Sequence, residues 1–308
     1  MEISVVICTH NPRIEFLSRV LEALRAQTLD TSHWELLIID NCSTTPVSES
    51  LKISWHPNVR YIREDMLGSA HARIRGINES KSELILFVDD DNCVDHDYLE
   101  IAKQTMDNNP MLGALGAGKI LPEYEEEPSP EVLDYVVNLA LRDETRSYYS
   151  NEINYTKATP YSAGGIIRKH IALDYVHSFR ERKFASILGR TGSSMLLSGE
   201  DVDMALHACD KQYLVGVIPE LKITHLIPKS RLAAEYLARI AAGHLYSNYI
   251  LGRMWGYSMP SPENPILKRL RYWKKWLSTK GLARLVFVAQ YRAVESARLD
   301  FDKSIIVK

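Results

Sequence analysis

The run Leu84-Ile85-Leu86-Phe87-Val88-Asp89-Asp90-Asp91 governs how the rest of the chain is read. Five apolar residues in unbroken succession predict a parallel strand buried on both faces. Its C-terminal end carries three carboxylates, and open α/β sheets bind their ligands at that end. Negative charge at this density is costly unless a cation shares the site, and hard divalent ions take carboxylate oxygens. On an extended chain Asp89 and Asp91 project to one side and Asp90 to the other. The ligand expected there is a metal carrying phosphates.

Upstream segments fit the same sheet. Ile3 to Cys8 reads as a first strand, followed by a Thr9-His10-Asn11-Pro12 turn. An amphipathic helix follows from about Ile14 to Ala26, with Phe16, Val20, Leu21 and Leu24 at helical spacing. Leu36 to Ile39 is a second strand, ending in Asp40-Asn41-Cys42-Ser43, and Val59 to Ile62 is a third. A helix over Ser69 to Glu79 leads into the acidic strand. Alternating strands and helices predict a doubly wound, mostly parallel sheet. Thr9 with Asn11, then Asp40, then Asp89 to Asp91 would converge on one edge of it.

Composition narrows the class. The 308 residues are 45% hydrophobic and 25% charged, ordinary for a globular chain with a sizeable core. A net charge of −2 favours neither nucleic acid nor a membrane surface as a global partner. Glu2 is acidic and Ile3 to Cys8 is too short for the apolar core of a signal peptide. Cys8, Cys42, Cys93 and Cys209 lack metal-type spacing, so reduced thiols in a cytoplasmic protein are expected.

The second half is less regular. Glu123 to Pro130 is acidic and proline-bearing, an exposed loop, and a helix is expected from about Pro130 to Arg142. Tyr161-Ser162-Ala163-Gly164-Gly165 requires a tight backbone feature, with Ile166 to Arg168 as the strand leaving it. Gly199-Glu200-Asp201-Val202-Asp203 opens a helix with acids against its dipole. Tyr213 to Ile218 and Lys222 to Thr224 read as strands, with His225 following. From Arg231 onward the composition is helical, broken at Pro260, Pro262 and Pro265.

In this order and at these spacings, residues 3 to about 228 resemble the family 2 glycosyltransferases, which have the GT-A fold. Ser4 to Asn11 is similar to the family's opening strand and nucleotide-contacting turn, and Ile38 to Thr44 to its Asp-Asp-Gly-Ser element. Gly68, Ala72, Arg73 and Gly76 match the helix beside the diphosphate, and Phe87 to Asp91 the DxD motif. Ala163-Gly164-Gly165 with Arg168 resembles the acceptor-side glycine motif, Gly199-Glu200-Asp201 the segment carrying the base, and His225 a frequent metal ligand. There are departures. His10 stands where tyrosine is common, Asn41 and Cys42 replace an acid and a glycine, and Ile74 replaces an asparagine. The first two bear on base stacking and so on which nucleotide binds.

The resemblance implies an inverting single displacement from a nucleotide diphosphate-sugar, with a UDP-sugar favoured, to a glycan or lipid-linked acceptor in polysaccharide or glycolipid assembly. It makes Asp201 the general base, with Glu200 sharing the role or orienting the acceptor. It gives a Mn²⁺ or Mg²⁺ ion to Asp91 and His225, with Asp89 on the metal or the ribose. Thr9, His10, Asn11, Asp40, Gly68, Arg73 and Asp90 would surround the nucleotide, and Arg190 would close over its phosphates. Gly164 and Gly165 would face the acceptor. A nucleotidyltransferase is the enzymatic rival, but Cys8 to Pro12 is not the glycine-rich phosphate loop that it would need. A catalytically silent nucleotide-sugar-binding scaffold is the other.

The expected division is a catalytic domain over 1–228 (a nucleotide-sugar half to 118, an acceptor half from 119) and a helical region over 229–308. Within the latter, residues 266–284 place Ile266, Leu270, Trp273 and Leu277 on one helical face among five cations. Such a helix either lies on the inner face of a membrane or caps the catalytic domain with its tryptophans inside.

Overall fold

The computed structural model describes residues 1–182, 188–189, 196–257 and 264–306. In chain order the elements are β1 (Ile3–Thr9), α1 (Ile14–Arg25), β2 (Trp34–Asn41), α2 (Val47–Ser50), β3 (Val59–Glu64), α3 (Ser69–Glu79), β4 (Leu84–Asp89) and β5 (Asn92–Val94). There follow α4 (Tyr98–Asn108), β6 (Leu112–Tyr124), α5 (Pro130–Leu133), β7 (Arg142–Asp143), β8 (Tyr148–Ser150), β9 (Ile166–Arg168), α6 (Lys169–Glu181), α7 (Glu200–Asp210) and β10 (Leu214–Ile227). Three helices close the sequence: α8 (Ala234–Trp255), α9 (Pro265–Ser278) and α10 (Gly281–Ile306).

These form two compact units. The first comprises Met1–Glu123, Ala140–Thr191 and Glu200–Ile227. Its sheet has the order β3-β2-β1-β4-β9-β6-β10-β5, with β7 on β6 and β8 on β10. β3, β2, β1 and β4 are parallel, as the apolar runs require. β9 runs antiparallel to both β4 and β6, so β6 again points the way of β4. Register brings Thr9 opposite Asp40 and Cys8 opposite Asp89, which places the predicted polar strand ends on one edge. Ile7, Ile38, Leu86 and Val88 are buried in the sheet, and Leu17, Val20, Leu21 and Leu24 cover it from the buried face of α1. This is the mixed α/β arrangement of the GT-A fold.

The second unit comprises Tyr124–Leu139, Gly192–Gly199 and Pro228–Lys308. Within it α8 and α10 bury Leu237, Tyr246, Ile250, Val286, Ala293 and Ala297, and the Tyr246 hydroxyl donates to Asp300 at 3.0 Å.

Two expectations are corrected. The helix expected over 130–142 is one turn, α5, and a 3₁₀ turn, Val136–Leu139. Ala140 sits at φ +58°, a left-handed value through which no helix continues, and Arg142 pairs with Ile120 as part of β7. The two strands expected around Pro219 are a single strand, β10.

Candidate active site

The three aspartates do not alternate as on an extended chain. β4 ends at Asp89 and the backbone turns at Asp90 and Asp91, so each carboxylate reaches a different partner. Asp89 Oδ1 lies 3.5 Å from the Arg73 guanidinium. Asp90 accepts from the Thr9 hydroxyl at the end of β1. Asp91 is buried, with Oδ1 accepting from Asn92 Nδ2 at 2.8 Å and Oδ2 lying 3.7 Å from His225 Nε2. The antiparallel pairing of β5 with β10 sets His225 opposite Asn92, and Leu226 N–H donates to the Asp91 carbonyl at 2.8 Å. Asp91 and His225 are therefore brought together from residues 134 positions apart in sequence.

At 3.7 Å the Asp91–His225 separation is too long for a direct hydrogen bond. It is shorter than two metal–ligand bonds of about 2.1 Å laid end to end. One carboxylate oxygen and one imidazole nitrogen so spaced fit two ligands of a single Mn²⁺ or Mg²⁺ ion. Among the described residues no three His, Cys, Asp or Glu side chains gather as a complete metal cluster, and Asp89 is held by Arg73 instead. The remaining ligands of such an ion would have to come from water and phosphate, the habit of Mg²⁺ at nucleotide sites.

Arg73 is the centre of the site. It projects from α3 with its side chain only 12% exposed. Nη1 pairs with Glu200 Oε1, while Nη2 donates to Ser162 Oγ at 2.6 Å and lies near Asp89. Burial works against its charge, but Glu200, Asp89 and Asp201 outweigh that and hold it more firmly protonated than an ordinary arginine. Ser69, one turn earlier on α3, donates to the same Glu200 oxygen at 2.6 Å. Glu200 thus enters the site already neutralised.

Asp201 has a different environment. Its Oδ2 accepts from Ser162 N–H at 3.1 Å and its Oδ1 from Val202 N–H at 2.8 Å. It borders a small cavity lined also by Phe87, Pro160, Tyr161 and Met204. Burial first, and then the neighbouring Glu200 carboxylate, raise its pKa above the usual 3.8; Arg73 and the two N–H donors oppose the rise. The Tyr155 hydroxyl is 2.9 Å from that of Tyr161, whose ring lies under the Arg142 guanidinium at 4.1 Å. Burial foremost, then Tyr161 and more weakly Asp201, keep Tyr155 protonated.

The glycine pair anchors this wall. Gly164 N–H donates to the Phe87 carbonyl and Phe87 N–H to the Gly165 carbonyl, both at 2.9 Å. Gly164 has φ +72°, and a Cβ there would stand 2.3 Å from the Tyr98 hydroxyl, which donates to the Gly164 carbonyl at 2.7 Å. Arg168 clamps the end of α4, donating to the carbonyls of Leu112, Met106 and Asn109.

The loops after β1 and β2 are stitched to one another. Asn11 N–H donates to Ser43 Oγ at 2.9 Å, Thr44 N–H to Asn11 Oδ1 at 2.8 Å, and His10 Nδ1 meets the Asn41 carbonyl at 2.6 Å. Asn11 and Cys42 both take left-handed backbone, at φ 49° and 57°. Both Asp40 oxygens serve its own loop, accepting from Ser43 N–H at 3.0 Å and Val47 N–H at 3.1 Å. Burial raises its pKa, but these bonds and Arg63 hold it lower overall. Asn41 fixes the start of α3, its Oδ1 accepting from Gly68 N–H at 2.8 Å.

Sequence reasoning overlooked Ser69, Ser162 and Asn41. The first two adjoin motif residues that were noticed, Gly68 and Ala163, and Asn41 looked like a lost acid. Arg190 falls outside the described residues.

A parallel sheet edge bearing acidic and hydroxyl groups, with a buried acid pair across an arginine, defines an α/β fold with a candidate active site. The glycosyl transferase family 2 model matches residues 4–159, half of the sequence, and the chain belongs to that family. It is 24% identical over 175 residues to the glucosyl-dolichyl phosphate glucuronosyltransferase of Haloferax volcanii, 54% of this chain and 56% of that protein. The chain thus spans about half the length of this curated relative. Among solved structures it resembles mannosyltransferase PcManGT of Pyrobaculum calidifontis in complex with GDP-Man and Mn²⁺ (TM-score 0.56, 17% identity, 99% of this chain and 80% of that one). It also resembles S. aureus TarS in complex with UDP-GlcNAc (TM-score 0.52, 15% identity, 97% and 92%). These last two likenesses are of fold.

Proposed function

We propose that the chain is a metal-dependent, inverting glycosyltransferase that moves one sugar from a nucleotide diphosphate-sugar to a hydroxyl of a glycan or lipid-linked acceptor. The observation that carries this reading is the Arg73 fork, which joins the strand-end carboxylate Asp89 to the acid pair Glu200 and Asp201. Donor-side and acceptor-side groups are thereby held in one electrostatic unit.

In the proposed reaction Asp201 takes the proton of the acceptor hydroxyl. A carboxylate whose pKa is raised is a better base than an ordinary one, provided it is ionised at working pH. The acceptor oxygen forms a bond to the anomeric carbon as the bond from that carbon to the diphosphate breaks, the electron pair leaving with the nucleoside diphosphate. Glu200, already bonded to Arg73 and Ser69, raises the pKa of Asp201 and is not itself the base. Asp91 and His225 would hold the divalent ion, which as a Lewis acid neutralises the leaving diphosphate. Thr9, His10, Asn11 and Gly68 form the nucleotide wall, with Asp90 fixed to Thr9. Asp40 supports that wall by shaping the loop from beneath. A UDP-sugar is the donor to test first, with GDP-sugars beside it, since similar folds are known with each.

The experiment is transfer, or slow donor hydrolysis, measured across nucleotide-sugars for the wild type, Asp91→Asn and Asp201→Asn. The reading predicts that Asp91→Asn loses the metal-dependent turnover and that Asp201→Asn binds donor but turns over about 10²–10⁴-fold more slowly. Tight donor binding without turnover in the wild type, over mixed glycan and lipid acceptors, would make the chain a scaffold.

A further inference from the structure

Helix α9 has its apolar residues on two faces. Tyr272 stacks on Phe287 and Tyr291 of α10, with ring centroids 5.4 and 4.6 Å apart, and the Arg284 guanidinium covers Trp276 at 4.3 Å. Lys268 pairs with Glu295 on the same side. These contacts fix which way the helix is turned. Ile266, Leu270, Trp273 and Leu277 lie at i, i+4, i+7 and i+11, a stripe about 60° wide at about 100° per residue, directed away from α10. They are 70%, 62%, 48% and 67% exposed. Arg269 borders the stripe on one side and Lys274 on the other, with Arg271 and Lys275 beyond, and all four are exposed.

Three kinds of occupant compete for such a face. A hydrophobic core is excluded by the exposure itself. A second copy of the chain would bring the same stripe with the same cations against one another, at a repulsive cost. An anionic lipid surface satisfies both features, because the stripe enters the acyl boundary while the flanking cations meet headgroups. The helix carries five cations and no acid in a chain whose net charge is −2, so the positive charge is local. No described helix is long and apolar enough to cross a bilayer, so the contact is with its surface. Trp273, an amphipathic ring amid the stripe, is of the type that settles at the headgroup level.

We infer that α9 is a membrane-surface anchor, seating this protein on anionic bilayers through Ile266, Leu270, Trp273 and Leu277 with Arg269, Arg271, Lys274 and Lys275 as the electrostatic fringe. The inference does not depend on the transfer chemistry. Its occupant is the bilayer surface, whether or not the sugar acceptor is a lipid.

The test is flotation of the full chain with phosphatidylcholine vesicles containing about one third phosphatidylglycerol, against pure phosphatidylcholine, at low and high salt. Each cation near an anionic leaflet multiplies partitioning by about fivefold, so Lys274→Glu/Lys275→Glu should lower it at least 25-fold. Salt of about 1 M should weaken wild-type binding, because the Debye length falls to about 3 Å. Leu270→Glu/Leu277→Glu should abolish flotation while far-ultraviolet circular dichroism and melting temperature stay those of the wild type, the residues being exposed. On anionic vesicles the wild-type tryptophan emission should shift to the blue. Equal flotation of wild type and both variants, or none with anionic vesicles, overturns the inference. So does a dimer in sedimentation equilibrium that Leu270→Glu/Leu277→Glu dissolves while vesicle binding is absent, which would assign the stripe to a second copy.

Discussion

Replacing Arg73 by methionine removes a guanidinium from between two carboxylates and keeps most of its apolar volume. The Glu200 side chain is 8% exposed and would lose its ion pair with Arg73 while Asp201 remains beside it. A charge-assisted bond to Glu200 contributes about 1.5–3 kcal/mol, and Ser162 Oγ loses its donor for about 1 kcal/mol more. Breaking a buried ion pair by removing one member costs about 3–5 kcal/mol in all. At about 2–4 °C per kcal/mol for a large domain, the melting temperature should fall by roughly 6–20 °C. The loss should depend on pH. Arg73 opposes the rise in the Asp201 pKa, so without it the folded protein holds the Asp201 proton to a still higher pH than the unfolded chain does. Stability is then lost as pH rises through the folded pKa and regained below it. The deficit of Arg73→Met should accordingly shrink as pH falls from neutral toward the ordinary aspartate value of 3.8. Glu200→Gln on the Arg73→Met background should restore about 1–3 kcal/mol, the coupling of two groups in direct contact. Calorimetry or circular-dichroism melts of the wild type, Arg73→Met, Glu200→Gln and the double variant, at neutral and at acid pH, measure all of this. A single variant melting within about 2 °C of wild type, or a double variant no better than Arg73→Met, would refute the placement of Arg73 as the electrostatic centre.

Three further outcomes are expected. The acid limb of the turnover–pH profile should lie above the ordinary aspartate value of 3.8, since Asp201 must be ionised and its pKa is raised by burial and Glu200; Ser162→Ala, which keeps the N–H donor, should shift it little, and a limb at or below 3.8 would contradict the assignment. Manganese titration followed by electron paramagnetic resonance should show affinity at least about tenfold weaker for His225→Gln, while unchanged binding would place the ion elsewhere. Gly164→Ala should destabilise by about 2–4 kcal/mol, through a left-handed φ and displacement of the Tyr98 hydroxyl, and adding Tyr98→Phe should cost less than the sum of the two changes; strict additivity would deny the contact.

The parallel half of the fold was legible because its chemistry is local. Ile3 to Cys8, Leu36 to Ile39 and Leu84 to Val88 are apolar runs ended by polar residues, and α3 occupies the residues its pattern predicts. β6 was not legible. Gly113, Gly116 and Gly118 interrupt its apolar pattern, yet they are there for close packing: a Cβ at Gly118 would meet the Ile218 carbonyl oxygen at 2.5 Å. Such a contact arises across 100 residues of sequence and leaves no local mark.

The site was legible as an inventory more than as a geometry. Asp91 and His225, read together from the sequence, do approach one another, whereas the place of Arg73 between Asp89 and Glu200 was not read. What the residues could not convey was the turn at Asp90, which sends three adjacent carboxylates to three partners. Nor could they convey that both Asp40 oxygens are committed to its own loop, or that Ser162 links the Arg73 fork to Asp201. Those facts depend on where one loop's N–H groups fall relative to another element, which periodicity does not encode.

The central claim is that the Asp91–His225 pair and Asp201 serve one transfer reaction. Its most direct test is release of nucleoside diphosphate from a panel of UDP-, GDP- and dTDP-sugars, with Mn²⁺ or with EDTA, for the wild type, Asp91→Asn and Asp201→Asn. The account predicts metal-dependent release from one donor, lost in both variants while Asp201→Asn still binds that donor. Release that survives EDTA and Asp91→Asn, or no nucleotide binding at all, would contradict it.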